Sequence, residues 1–143
     1  MITFVNEIVI ALPRHQVFGY LANLENVPAW NYAIKRTQKV SSGPIGVGTE
    51  FRQIRTLPRP SEEVFAVTEF EPPERLVIEG SLGPFNARMI YRLEGSGNTT
   101  TLVNEVQLTP HGAARLVAPV ASRTIKSAVA DNLAVLKKIL EAG

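Results

Sequence analysis

The stretch that decides the fold is TPHGAARLVAPVASRTIKSAVADNLAVLKKILEAG, which runs from Thr109 to Gly143. Ile125, Val129, Leu133, Leu136 and Leu140 recur in it at intervals of three and four, the spacing of one helical face. Lys126, Asp131, Lys137, Lys138 and Glu141 fall on the other faces. Thr109 suits a helix N-cap, and Pro110 suits the first helical position, where no backbone N–H is needed. Pro119 interrupts residues 113–118, so the early portion is expected to be kinked or a separate helical turn.

Everything upstream reads mainly as strand. Ile2, Phe4, Ile8 and Ile10 alternate with Thr3 and Glu7, the period of a half-buried strand, with Asn6 as one polar residue on the apolar face. Pro13 then opens a short helix carrying Val17, Phe18 and Leu21, and Asn23 is placed to cap a second one ending near Trp30, which Pro28 keeps short. Strands are expected at Ile34–Val40, Thr49–Thr56, Glu63–Phe70, Arg75–Glu79, Phe85–Leu93 and Thr100–Leu108, separated by turns rich in Gly, Pro, Ser and Asn. On the last strand, Leu102, Asn104, Val106 and Leu108 share one face. Short turns imply antiparallel pairing, because parallel pairing needs long crossovers. The fold class expected is α+β: a curved antiparallel sheet of about seven strands wrapped on a long C-terminal helix, with a cavity where they do not fully meet.

At 143 residues the chain reads as one domain spanning 1–143. A domain of this size buries roughly 70% of its unfolded surface, enough for a real core. Its net charge of +2 is too weak a field to imply nucleic acid or an anionic membrane. With no cysteine, disulfides and thiolate metal sites are excluded. The N-terminus lacks the pattern of a signal peptide, and no apolar run reaches the ~20 residues that span a bilayer. A cytoplasmic protein without membrane insertion, monomeric or homodimeric, is expected.

Several phrases carry a resemblance. They are Leu12-Pro13 with Val17-Phe18, Pro28-Ala29-Trp30, and Gly48-Thr49-Glu50-Phe51. Further along come Val67-Thr68-Glu69-Phe70-Glu71-Pro72-Pro73, Gly97-Asn98-Thr99-Thr100, and Asp131-Asn132-Leu133 with Leu136-Lys137 and Leu140-Glu141. Together with the element order, they resemble the helix-grip fold of the START and birch-pollen-allergen superfamily (SRPBCC proteins), in its polyketide cyclase/dehydrase-like branch. The resemblance implies a hydrophobic cavity between sheet and long helix that accepts lipids, polyketides or aromatic metabolites. It also implies an aromatic residue near the pocket at Trp30, with Tyr32 close by, although Trp30 reads equally as an anchor of the short helices on the sheet. Fold alone does not choose among these functions.

The residues narrow the chemistry. His15 reads as a solvated residue of the first helix and His111 as a corner before the long helix, and no carboxylates stand at metal-ligand spacing from them. No metal and no cofactor are expected. Gly43-Pro44-Ile45-Gly46-Val47-Gly48 lacks the Lys-Ser/Thr of a phosphate loop and leads into a strand, so it reads as a hairpin turn. Asn6 and Asn104 are neighbours on the concave face and either bond one another or orient a ligand. Tyr91 shares that face. Arg55, on the apparent face of Phe51 and Gln53, reads first as an exposed strand-end arginine. Tyr91 and Arg55 are the weak catalytic candidates, as proton donor and charge stabiliser. Lys35, Arg36 and Lys39 read as a solvated strand face.

The ligand-binding set expected is Phe4, Asn6, Trp30, Phe51, Phe85, Met89, Tyr91 and Asn104, with residues 113–120 and the Trp30 segment as the mouth. No paired acid–base constellation of an aromatase/cyclase maps onto the chain, which favours a binder of a hydrophobic small molecule. A polyketide cyclase/dehydratase is the alternative, and a protein-interaction module the second. An empty apolar pocket of ~300 Å³ would cost ~7 kcal/mol at ~24 cal/mol per Å³. That is comparable with a whole domain's stability, so an open pocket would argue for use.

Overall fold

A computed structural model describes residues 1–112 and 114–143, with side chains described outside residues 113–119. The alternating segments become seven strands: β1 (Ile2–Ile10), β2 (Ile34–Lys39), β3 (Glu50–Arg55), β4 (Ser61–Glu71), β5 (Arg75–Leu82), β6 (Phe85–Glu94) and β7 (Thr100–Pro110). Between β1 and β2 lie α1 (Arg14–Ala22), a 3-10 turn (Leu24–Asn26) and α2 (Val27–Trp30), and α3 (Ala114–Ala142) closes the chain. All strands pair antiparallel in the order β1-β7-β6-β5-β4-β3-β2. Register shifts at Ile34/Arg36 and Val67/Glu69 are bulges of the kind that bend a sheet. The result is a curved sheet gripping a long helix, as the patterning predicts. Among the described residues, no helix is long and apolar enough to cross a membrane.

Three local expectations are corrected. Thr109 and Pro110 do not open the helix: they finish β7, paired with Asn86 and Phe85. A proline is tolerated there because the strand ends and its missing N–H breaks no continuing ladder. The chain turns instead at Gly112, whose φ of 51° is a left-handed conformation open to glycine. Next, of the two readings of the early portion, kinked or a separate turn, the separate turn is not what forms: α3 runs as one helix through Pro119. The expected mouth at residues 113–119 lies outside the described side chains. Finally, Asn23 occupies the cap position of the 3-10 turn but makes no side-chain capping bond.

Sheet and helix meet in two apolar clusters. One gathers Ile10, Phe18, Leu21, Trp30, Leu133, Leu136 and Leu140 beneath α1, α2 and the end of α3. The other holds Phe4, Phe85, Val106 and Leu108, covered by Ala121, Ile125 and Val129. Met89 and Val129 pack against both. Polar bonds fix α3 along the edge strand β1: Asn6 Nδ2 donates to the Lys126 carbonyl at 3.2 Å, and Lys137 Nζ donates to the Val9 carbonyl at 2.5 Å. The Ala11 N–H donates to Glu141 Oε2 at 2.8 Å. A helix covering an exposed strand edge also removes a template for aggregation.

The outer face of the sheet carries charge. Glu69 accepts from Arg75 Nε and from Arg88 Nη2, each at 2.8 Å. The hydrogen bond from Arg75 leads the causes that lower the Glu69 carboxyl below its ordinary 4.5. Glu105 is lowered first by the bond from Gln107, and Glu141 first by the bond from the Ala11 N–H. A carboxylate depressed in the folded state stabilises fully above its unfolded pKa, and that contribution is lost as pH falls through the folded value. Melting temperature is therefore expected to hold from pH 7 to about pH 5 and to fall below the ordinary carboxylate range. A Glu69→Gln variant should show a shallower acid fall. An equal fall in wild type and variant would remove Glu69 from the account.

Candidate functional site

Where the two apolar clusters meet, the sheet, α2 and α3 bound a partly open cavity of about 70 Å³. β3 contributes Gln53 and Arg55, β4 contributes Phe65, β5 contributes Ile78 and Gly80, β6 contributes Ala87, Met89 and Tyr91, and β7 contributes Asn104. Trp30 enters from α2, and Val129, Asn132 and Leu133 enter from α3. The cavity is far below the ~300 Å³ weighed from the sequence. At ~24 cal/mol per Å³ it would cost only ~2 kcal/mol if dry and empty. Its volume exceeds the ~10–15 Å³ that one water needs.

The structure gathers Trp30, Met89, Tyr91, Asn104 and Arg55 around this space. It puts the other sequence-predicted residues elsewhere. Phe4 and Phe85 belong to the second cluster. Asn6 sits where β1 meets α3 and bonds the Lys126 carbonyl. Phe51 stacks on Phe65 with ring centroids 5.2 Å apart and lines an outer groove instead. Asn6 and Asn104 are register partners, yet the Asn104 amide donates to the Ile90 carbonyl at 3.1 Å. Each therefore has its own backbone partner, and the mutual bond weighed from the sequence is not the one they make.

Arg55 is not the exposed strand-end residue first expected. Its side chain is 11% exposed and its Nε donates to Glu63 Oε2 at 2.8 Å. Glu63 is the residue the sequence reading missed. Its carboxylate also accepts from Gln53 Nε2 at 2.8 Å and from the Gly83 N–H at 2.6 Å. Its signal was available: Glu63, Phe65 and Val67 share one strand face by period two. With the guanidinium already paired, the cavity wall carries no free charge from this couple.

Burial pushes the Tyr91 phenol far above its ordinary range, so it stays neutral, and its O–H lies 3.9 Å from Met89 Sδ. Asn132 was also missed as a site residue, although it stands three residues after Val129 and four before Leu136, on the apolar stripe. Among the described residues, no three His, Asp or Glu side chains converge as metal ligands would.

A second space of about 600 Å³ opens outside α1, lined by His15, Phe18, Lys39, Ile45, Phe51 and Phe70 among others. Leu24 lines both this groove and the inner cavity. The Phe51–Phe65 pair joins the two walls, one ring in each lining.

Known structures share this architecture. A protein of Thermus thermophilus, TTHA0849, matches with a TM-score of 0.82 at 15% identity, over 99% of this chain and 98% of its own. Ara h 8.0201 matches with a TM-score of 0.76 at 15% identity, over 99% of both chains. The Zhui aromatase/cyclase of Streptomyces sp. R1128 matches with a TM-score of 0.80 at 11% identity, over 98% of this chain and 93% of its own. At these identities the likeness establishes the helix-grip fold and nothing about chemistry. No functionally curated protein matches the chain. The family model described as polyketide cyclase / dehydrase and lipid transport matches residues 1–141, so the chain, with its curved sheet gripping a long helix, belongs to that family.

Proposed function

We propose that this protein binds a hydrophobic small molecule in the space between the sheet and α3. The observation that carries the reading is the cavity itself: a partly open space, mainly apolar in its wall, beside Met89 and Val129, which pack against both clusters. Its exposed wall is mainly apolar, with Gln53, Arg55, Tyr91, Asn104 and Asn132 among the polar residues of the lining, the mixture of a site that binds by shape and orients by hydrogen bonds. At about 70 Å³ the space is smaller than the ~300–1,000 Å³ of drug-sized sites. Leu24 lines both this cavity and the outer groove, so its side chain is the one whose movement would give the ligand more room.

The cyclase reading draws on the family description and on the Zhui neighbour, and it needs a group that moves protons. Burial makes the Tyr91 phenol a weaker acid, and the Arg55 guanidinium is taken up by Glu63. Both features favour binding over catalysis.

Native mass spectrometry of freshly purified protein, compared with its denatured mass, tests the reading. A retained apolar species is expected, and one of roughly a few hundred daltons requires the cavity to open toward the outer groove to reach the ~300 Å³ of drug-sized sites. Ala87→Trp, which fills the cavity from β6, should abolish retention while circular dichroism still reports the native fold. Undiminished retention in that variant would place the ligand elsewhere. A bare wild-type mass, together with no binding of added apolar probes, would remove the reading altogether.

A further inference from the structure

Among the described residues, three buried side-chain polar atoms lack a hydrogen-bond partner: Trp30 Nε1, Thr37 Oγ1 and Asn132 Oδ1. Thr37 does not line the cavity, whereas Trp30 and Asn132 both do, one from α2 and one from α3. Each of these two residues is only 6% exposed. Native interiors leave few such groups, and each one calls for a partner.

The pair is chemically specific. An indole N–H only donates, and an amide oxygen only accepts. A carboxylate or ketone would meet Trp30 and leave Asn132 unmet. An ammonium would meet Asn132 and leave Trp30 unmet. A hydroxyl oxygen accepts and its O–H donates, so an alcohol or phenol meets both. Charge points the same way: Arg55 is already neutralised by Glu63 at 2.8 Å, so the wall holds no spare cation for an acid.

We infer that the ligand is a neutral hydroxylated hydrophobic molecule, whose hydroxyl accepts from Trp30 Nε1–H and donates to Asn132 Oδ1. One hydroxyl, or two on the same molecule, satisfies the pair. This rests on the reading that the inner cavity is the binding site, and it narrows the ligand within that reading.

The chain has one tryptophan, so its indole N–H gives a single ¹⁵N–¹H signal that reports on the site directly. Labelled protein is titrated with 4-ethylphenol and with 4-ethyltoluene, which match in shape and differ in the hydroxyl. The phenol is expected to bind roughly tenfold more tightly, the scale of leaving buried polar groups unpaired, and to move the indole proton downfield. Asn132→Leu, and separately Trp30→Phe, should bring the two affinities within about threefold while 4-ethyltoluene still binds.

Equal affinities in the wild type, as when ordered water already serves both atoms, would overturn the hydroxyl inference and leave the cavity reading standing. A preference that survives Asn132→Leu would also overturn it. Failure of both probes to perturb Ala87 and Met89 would remove the cavity reading and the inference with it. The wild-type comparison decides the matter even if a variant does not fold.

Discussion

Glu63→Ala is expected to cost about 3–5 kcal/mol of stability, the scale of breaking a buried ion pair by removing one partner. The carboxylate is 1% exposed and holds three donors: Arg55 Nε, Gln53 Nε2 and the Gly83 N–H. Removing it strands a guanidinium whose side chain is 11% exposed and frees the tether on the β5–β6 turn. The double variant Glu63→Leu with Arg55→Met should recover most of the loss, because an apolar pair in place of both charges is often neutral or better. Glu62 is the internal control. It pairs with Arg52 at 3.0 Å, but both side chains are more than half exposed, so Glu62→Ala should cost less than about 1 kcal/mol. Urea denaturation of the four proteins checks the set. A Glu63→Ala loss near that of Glu62→Ala would mean that water reaches the Arg55–Glu63 couple.

These adjacent glutamates show what the sequence holds and what it hides. Period two sends Glu62 outward and Glu63 inward, and that alternation can be read without coordinates. The destination of the inward carboxylate cannot, because it depends on Gly83, a residue twenty positions away brought near by the β4–β5 pairing. Phe4 and Phe85 share the concave side with Tyr91 and Asn104, yet they lie farther along the strands, in the cluster beneath Ile125. Period two gives the face of a strand; it does not give the position along it where the helix stands clear. That position is set by the helix, whose stripe changes at Asn132 from the half-buried Ile125 and Val129 to the buried Leu133, Leu136 and Leu140.

The fold was legible for a different reason. Strand existence follows from alternation, and antiparallel order follows from turns too short for anything else. The stripe from Ile125 to Leu140 then leaves the helix one apolar surface to cover. The ends of elements were less legible because local preference there competes with pairing. Thr109-Pro110 matches a helix start in isolation, but Asn86 and Phe85 on the neighbouring strand hold both residues in β7. Tertiary pairing decided that boundary against the local signal.

Gly80 gives the other large effect, and it too comes from close pairing. It stands opposite Phe65 on β4 and Ala87 on β6, and it also lines the cavity. A Cβ built on it would lie 2.2 Å from the Val64 carbonyl oxygen and 2.5 Å from the Phe65 Cα. These are backbone atoms of a paired strand, so no side chain can rotate away to make room. Gly80→Ala must therefore push β4 from β5 between two bonded neighbours, with an expected loss of about 3 kcal/mol, the upper end of ordinary overpacking. The same shift moves Phe65, whose ring stacks on Phe51 at the partition between cavity and groove. Ligand retention should fall along with stability. Gly19, where an added Cβ meets nothing within 4 Å and the residue sits inside α1, supplies the opposite control. Gly19→Ala should gain roughly 0.5–1 kcal/mol from helix preference alone. Urea midpoints for both variants decide it, and a Gly80→Ala loss below about 1 kcal/mol would mean that β4 and β5 do not approach so closely there.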